Sequence, residues 1–487
     1  MPNYDYDLGV IGGGAAGLTI TSGAAQLGAK VLLIEKEPQL GGDCLHYGCV
    51  PSKTLIHIAQ VYHQMKEAAR LGLPPVEPGP VQFSRVAARI QEVIQSIQHH
   101  DSVERFCGLG AEVVQGRARF RSSHQVVVDG RTVSARHWVL ATGSSPALPP
   151  ISGLEHTPHL TNRELFSLEE LPFSLIVIGA GPIAIEMAQA FNRLGCRVMV
   201  VQRSGQILSK EDPDLAGMAM ATLAAEGVQF HLETKITGVE DLGHTRRLTY
   251  QDKAGKQVSL EAQAILVALG RRPNLDDLEL DKAGVEFTPR GITVDARLRT
   301  TRKHIFACGD VIGPPQFTHA AGYEAGVVLA NAVFRLPRKA DYTWLPWCTY
   351  CQPELASLGL NEKAARQKGI PYRLWSAELA DNDRAQAEGA GPGRIKLLLD
   401  QDQKPLGVQI LAPRAGELLA EWVAVLNGKV KLSTLAGAMH PYPTLAELNK
   451  RVAGDFMAAK LFSQKVRRGL KFFFSLKGRA CSLPQEP

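Results

Sequence analysis

Asp7-Leu-Gly-Val-Ile11 runs directly into Gly12-Gly-Gly14-Ala-Ala-Gly17, and the reading of this stretch decides the fold. A short apolar run breaks into a G-x-G-x-x-G turn and continues as a helix-like segment. It returns as a second apolar run, Val31-Leu-Leu-Ile34, which ends at Glu35. This is the grammar of a strand–helix–strand unit. Its glycines let backbone N–H groups and a helix N-terminus approach a pyrophosphate. The same grammar recurs at Leu175-Ile-Val-Ile178, Gly179-Ala-Gly181-Pro-Ile-Ala184 and Val198-Met-Val-Val201. One such turn is a weak signal. Two, each set between a strand and a helix, point to two dinucleotide sites.

Working outward, the chain has 487 residues, room for about three domains of about 150 residues. With 45% hydrophobic residues it is not globally disordered, and several cores can be buried. A net charge of +6 is thin for a chain this long, and a nucleic-acid binder would carry a denser basic face. The N-terminal Met-Pro-Asn-Tyr-Asp-Tyr-Asp is acidic and does not read as a signal peptide. No stretch approaches the ~20 apolar residues of a spanning helix. A cytoplasmic, reducing setting is therefore expected for the eight cysteines.

Punctuation sets the boundaries. A helical stretch around 81–106 and short strands lead to Ala141-Thr-Gly143 and a Pro-rich exit at Pro146, Pro149 and Pro150. An apolar strand over 265–269 ends at Gly270-Arg-Arg-Pro-Asn274, and Ile305–Asp310 reads as a return to the first unit. From about Tyr342 the pattern is that of a separate α+β domain. Past Leu461 the chain turns basic and aromatic.

The chemistry lies just after the first turn, in Gly42-Asp-Cys44-Leu-His-Tyr-Gly-Cys49-Val-Pro-Ser-Lys53. Two cysteines five positions apart stand at the start of a predicted helix. The helix N-terminus and Lys53 both favour thiolate, the nucleophilic form. Metal binding by this pair alone lacks two further ligands nearby. Cys107, Cys196 and Cys308 read most simply as buried small hydrophobes.

With this G-x-x-C-x-x-x-x-C-x-P-S-K signature, residues 5–460 resemble the class I pyridine nucleotide–disulfide oxidoreductases, most nearly their mercuric-reductase branch. The resemblance implies an α/β fold with two Rossmann-like dinucleotide-binding domains and a C-terminal α+β dimerisation domain. FAD would occupy 1–150 with 271–341, NAD(P)H 151–270, and the homodimer contact 342–464, leaving 465–487 as a tail. Gly12, Gly14 and Gly17 would carry the FAD pyrophosphate, with Gly42 nearby, and Glu35 the adenosine ribose. Thr142, Gly143 and Asp310 would line the same site. Gly179, Gly181 and Gly270 would belong to the nicotinamide nucleotide. Lys53, paired with Glu186, would lie near flavin N5. Cys49 would be the thiol beside the flavin and Cys44 the one that attacks a small disulfide, thiol or metal acceptor. The family places Cys348-Thr-Tyr-Cys351 on an interface strand, where positions three apart face opposite sides. That argues against a zinc or redox pair.

The chain departs from the family in several places. The usual His-Pro-Thr-x-x-Glu reads here as Tyr442-Pro-Thr-Leu-Ala-Glu447, with His440 two residues upstream. Tyr442 looks like mercuric reductase, yet only Cys481 stands where that branch carries a C-terminal cysteine pair. Pro182 replaces a tyrosine that gates the nicotinamide pocket in glutathione reductases. After the second unit's second strand comes Gln202-Arg203 with no carboxylate, suited to the 2′-phosphate of NADPH, although NADH stays open. If His440 reached the site, the chain would read as a dihydrolipoamide-dehydrogenase-like enzyme. The tail sets Phe472–Phe474 among Lys465, Arg467, Arg468 and Lys471. It reads either as an ordinary packed helix or as a peripheral membrane contact, the latter fitting an electron carrier to a quinone or protein partner.

Overall fold

The computed structural model describes residues 3–478, so Cys481 and the last residues of the tail lie outside it. The chain divides into two compact units, Met1–Ser209 with Leu223–Tyr342, and Lys210–Thr222 with Thr343–Pro487.

In the first unit the opening apolar run is strand β1 (Tyr6–Ile11), followed by helix α1 (Ala15–Gln26) and strand β2 (Val31–Glu35). β1 pairs in parallel with β2 and with Arg131–Leu140, Val10 standing opposite Leu33 and Val139. Ala111–Gln115 adds to the far side of β2. Both faces are covered, which is why β2 is apolar along Val31–Ile34 rather than alternating. Ile305–Ala307 pairs in parallel with Arg131–Leu140, so the chain does return to this sheet.

The second turn builds its own parallel sheet. Ser174–Ile178 lies between Arg197–Val201 and Ala264–Val267, with Gln229–His231 outermost. The strand expected over 265–269 thus stops at Val267. A three-stranded antiparallel sheet spans Lys235–Asp241, Arg246–Gln251 and Gln257–Ala262.

The other unit is a five-stranded antiparallel sheet in the order Pro346–Thr349, Glu354–Gly359, Pro405–Ala412, Arg394–Leu399 and Arg373–Glu378. Helices Ala415–Asn427 and Glu447–Leu461 pack on it through Trp422, Val452 and Phe456. Lys210–Thr222, placed by the sequence boundaries in the nucleotide domain, packs here. A buried ammonium holds it: Lys396 Nζ lies 2.7 Å from Asp212 and 3.0 Å from Asp214, and 2.5 Å from Glu362.

Two cysteine expectations change. Cys107 is exposed, because Val103–Gly108 turns Phe106 inward and a neighbour on a helix points about 100° away. Cys351 lies beyond the strand that carries Cys348. It is buried, with Sγ against the Pro353 carbonyl, while Cys348 Sγ faces Glu354.

Candidate active site

The first turn is shaped by two glycines. Gly12 has φ +110°, and a Cβ there would collide with the Ala141 carbonyl. A Cβ at Gly17 would collide with the carbonyl of Gly12 itself. β1 and α1 therefore meet backbone to backbone, and no side chain caps the N-terminus of α1 at Gly14. The Gly42 and Gly14 backbones also approach closely, a Cβ on Gly42 falling 2.7 Å from Gly14 Cα. At the end of β2 the buried Glu35 carboxylate accepts the Gly13 N–H at 2.5 Å and the Glu37 N–H at 2.8 Å.

Thr142 and Gly143 are tied to Asn274. The Thr142 hydroxyl donates to the Asn274 carbonyl, and the Asn274 amide donates back to Thr142, each at 2.8 Å. Asp310 follows Ile305–Ala307 and accepts the Ser144 hydroxyl at 2.5 Å, and its burial pushes the carboxyl pKa up. A Cβ-free cleft, an uncapped helix N-terminus and a buried carboxylate form the donor and acceptor set that a dinucleotide such as FAD needs.

Gly41 leads into the short helix α2 (Gly42–His46), and α3 (Cys49–Glu67) begins at the second cysteine. Cys44 is half-buried and Cys49 exposed, both free of a disulfide and in mutual hydrogen-bond contact. Cys49 is lowered to about 6, chiefly by the hydrogen bond from Cys44, against a burial penalty and with help from Thr318 and Lys53. Thr318 Oγ1 stands 3.4 Å from Cys49 Sγ. Cys44 moves the other way, its proton held in the bond to Cys49 and its burial disfavouring charge. The pair thus favours charge on Cys49 and the proton on Cys44.

α3 also carries Lys53, whose Nζ lies 2.8 Å from Glu186 Oε2. Glu186 sits on Pro182–Leu194, the helix of the second turn, with only 5% of its side chain exposed. The expected pair is therefore formed, across 133 residues of sequence. Sequence reasoning missed the neighbouring carboxylate. Asp43, beside Cys44 on α2, accepts from Arg271 Nη2 at 2.9 Å and from the Asn162 amide at 3.2 Å, with Arg163 3.8 Å away. Arg271 also donates to Ser144 Oγ at 2.7 Å and so reaches the group that holds Asp310. An acidic residue between glycine and the first cysteine was the visible signal. Its partners were not.

At the second turn Gly179 has φ +110°, Gly181 opens onto free space, and Pro182 starts the helix. Gly270 has φ +116°. Arg203 is exposed just past Arg197–Val201, next to Gln202, whose amide donates to Ser204.

In the other unit the two candidates for the acid/base role point to different surroundings. His440 keeps 7% side-chain exposure and lies 2.9 Å from Glu421 Oε1. Glu421 in turn accepts from Asn449, which accepts from the Trp422 indole, and both are fully buried. Tyr442 is 70% exposed and donates its hydroxyl to Asp383 at 2.8 Å. Glu447 does not pair with His440; its carboxylate receives the Thr444 N–H at 3.4 Å. Among the described residues no group of three or more His, Cys, Asp or Glu could hold a metal.

Residues 6–325 match the family described as pyridine nucleotide-disulphide oxidoreductase, and 345–453 match its dimerisation domain. The chain is 33% identical over 454 residues to a mercuric reductase of Lysinibacillus sphaericus, covering 93% of this chain and 83% of that one. It is 31% identical over 450 residues to a dihydrolipoyl dehydrogenase of Bacillus subtilis, covering 90% and 96%. Among solved structures it is similar to the HOCl-induced flavoprotein disulfide reductase RclA from Escherichia coli. The TM-score is 0.82 at 26% identity, over 92% of this chain and 99% of that one. The acidified cysteine beside an ion-paired lysine, the two Gly-rich turns and these matches have one explanation: the chain belongs to the pyridine nucleotide-disulphide oxidoreductases, FAD-dependent enzymes with a C-terminal dimerisation domain.

Proposed function

We propose that this chain passes electrons from NADPH to the Cys44–Cys49 pair and on to a small disulfide or metal acceptor, in the manner of mercuric reductases. The observation that carries the reading is the setting of Cys49, which has Thr318 Oγ1 at 3.4 Å and heads the helix that carries the ion-paired Lys53, an arrangement that favours negative charge on its sulfur. Gly12, Gly14, Gly17, Gly42, Glu35, Thr142, Gly143 and Asp310 would hold FAD, with Lys53 beside its ring. When bound, FAD converts a hydride from the nicotinamide into electrons for the cysteines.

The remaining work belongs to side chains. Glu186 fixes the Lys53 ammonium, and Lys53 stabilises negative charge on Cys49. With a disulfide acceptor, Cys44 attacks one sulfur, a mixed disulfide forms and the Cys44 proton leaves with the departing sulfur as a thiol. The Cys49 thiolate then attacks Cys44, the mixed disulfide breaks, the Cys44–Cys49 disulfide closes and the second half of the acceptor departs as a thiolate. In a homodimer the exposed Tyr442 would reach the partner's cysteines and hydrogen-bond a thiolate or contact a soft metal ion. A phenol with a reference pKa of about 10 is a poor base at neutral pH. The dihydrolipoamide-dehydrogenase-like alternative needs His440, whose imidazole is already engaged by Glu421.

Arg203 supports NADPH, since a guanidinium suits a 2′-phosphate and no carboxylate stands there to take a ribose. Replacing it with glutamate is expected to reduce or invert the preference. Equal or better kcat/KM with NADH in the parent protein would overturn this. A cytoplasmic setting fits the acceptors proposed, and among the described residues no helix is long and apolar enough to cross a membrane. The acceptor is tested by anaerobic reduction followed by Hg(II), lipoamide, small disulfides and quinones in turn. Turnover of Hg(II) with little of lipoamide is the expected result, and the reverse would favour the alternative.

A further inference from the structure

The family match to the dimerisation domain stops at residue 453, and past it the chain forms a helix, Gln464–Phe474, none of whose residues is buried. Ser463 caps it through the Val466 N–H at 3.5 Å, so this is a formed helix with a defined start. At about 3.6 residues per turn, Val466, Leu470, Phe473 and Phe474 fall on one side. Lys465, Arg467, Arg468 and Lys471 lie on the rest of the circumference, where Phe472 falls among them. Phe472, Phe473 and Phe474 are 82%, 77% and 71% exposed. From Phe462 to Lys477 there are five Lys or Arg residues and no Asp or Glu.

We infer that this helix lies on an anionic lipid bilayer, its apolar side among the acyl chains and its cations at the headgroups. Charge selects that occupant. Each Lys or Arg near an anionic leaflet strengthens the attraction, while aromatic side chains anchor such helices at the interface. A second copy of the helix would bring a like set of cations against it without a single carboxylate to answer them. The inference is independent of the redox reading, because it is argued from residues of the helix itself.

The test is co-sedimentation of the full chain with vesicles. Mixed phosphatidylcholine–phosphatidylglycerol vesicles should capture it and pure phosphatidylcholine should not, with capture falling as salt rises. Arg467→Gln with Arg468→Gln is expected to weaken partitioning on the order of tenfold. Leu470→Ser with Phe473→Ser should abolish it. All four positions are exposed or unpacked in the chain, so the variants should keep their thermal unfolding midpoint and thiol titration. Equal, weak binding of the parent chain to both vesicle types would overturn the proposal. So would a loss of dimer in the apolar variant with no change in vesicle binding, which would assign the helix to a second copy instead.

Discussion

Two stretches of this protein carry the residues proposed for thiol chemistry, and they are finished differently. Residues 42–53 find their partners inside one unit: Cys44 on Cys49, Thr318 beside Cys49, Lys53 on Glu186, and Asp43 on Arg271. Residues 438–447 turn His440 inward to Glu421 and leave Tyr442 exposed. The first stretch is complete as an electrostatic device within a single chain. The second is a probe whose chemistry depends on what faces it, and the family's dimerisation domain makes a second copy the natural candidate.

The largest effect expected lies in the first stretch. Cys49→Ser should abolish the long-wavelength thiolate-to-flavin absorbance of the two-electron-reduced protein and lower disulfide turnover on the order of 10³-fold. Cys44→Ser should keep an absorbance band, because the Cys49 thiolate remains. Retention of the band in Cys49→Ser would reverse the two assignments. If thiol reactivity were equal in both single variants, the contrast between a complete site and an unfinished one would lose its basis.

The second stretch gives an intermediate effect. Tyr442→His should raise turnover of lipoamide and small disulfides about tenfold, a modest part of what general acid–base catalysis supplies. His440→Ala should leave that turnover nearly unchanged while lowering stability by about 1 kcal/mol, since Glu421 loses a partner near the surface. A collapse of turnover in His440→Ala alone would make His440 the acid/base and break the comparison.

The smallest effect is a shift in titration. Cys49 is depressed to about 6, so its thiolate should persist above that value and be lost as pH falls through it. Lys53 favours the thiolate and Glu186 opposes it. Lys53→Gln should therefore move the midpoint up and Glu186→Gln should move it down, both read from the long-wavelength absorbance against pH. Shifts of the same sign would mean that the pair acts only as a packing contact.

What was legible in the sequence was whatever is encoded locally. The two G-x-G turns specify strand–turn–helix units because only a bare Cα fits where Gly12 and Gly17 meet neighbouring carbonyls. The sequence put both cysteines at the start of one helix; Cys49 does begin α3, while Cys44 sits on the separate short α2. The apolar and basic spacing of 464–474 was equally plain, although neither occupant of its exposed face could be chosen from it.

Tertiary structure alone decided which distant groups meet. Thr318 comes to Cys49 across 269 residues, Arg271 to Asp43 across 228, and Glu421, not Glu447, to His440. It also moved Lys210–Thr222 to the other unit, where the buried Lys396 supplies the charge that the buried Asp212 needs away from water. Cys107 fell outside because its helix turned Phe106 inward. A glycine turn or a helix start is set by neighbours along the chain, so pattern suffices for it. A buried or half-buried charge is stable only beside an opposite charge or a hydrogen-bond donor. Which residue fills that place is known only once the chain has closed upon itself.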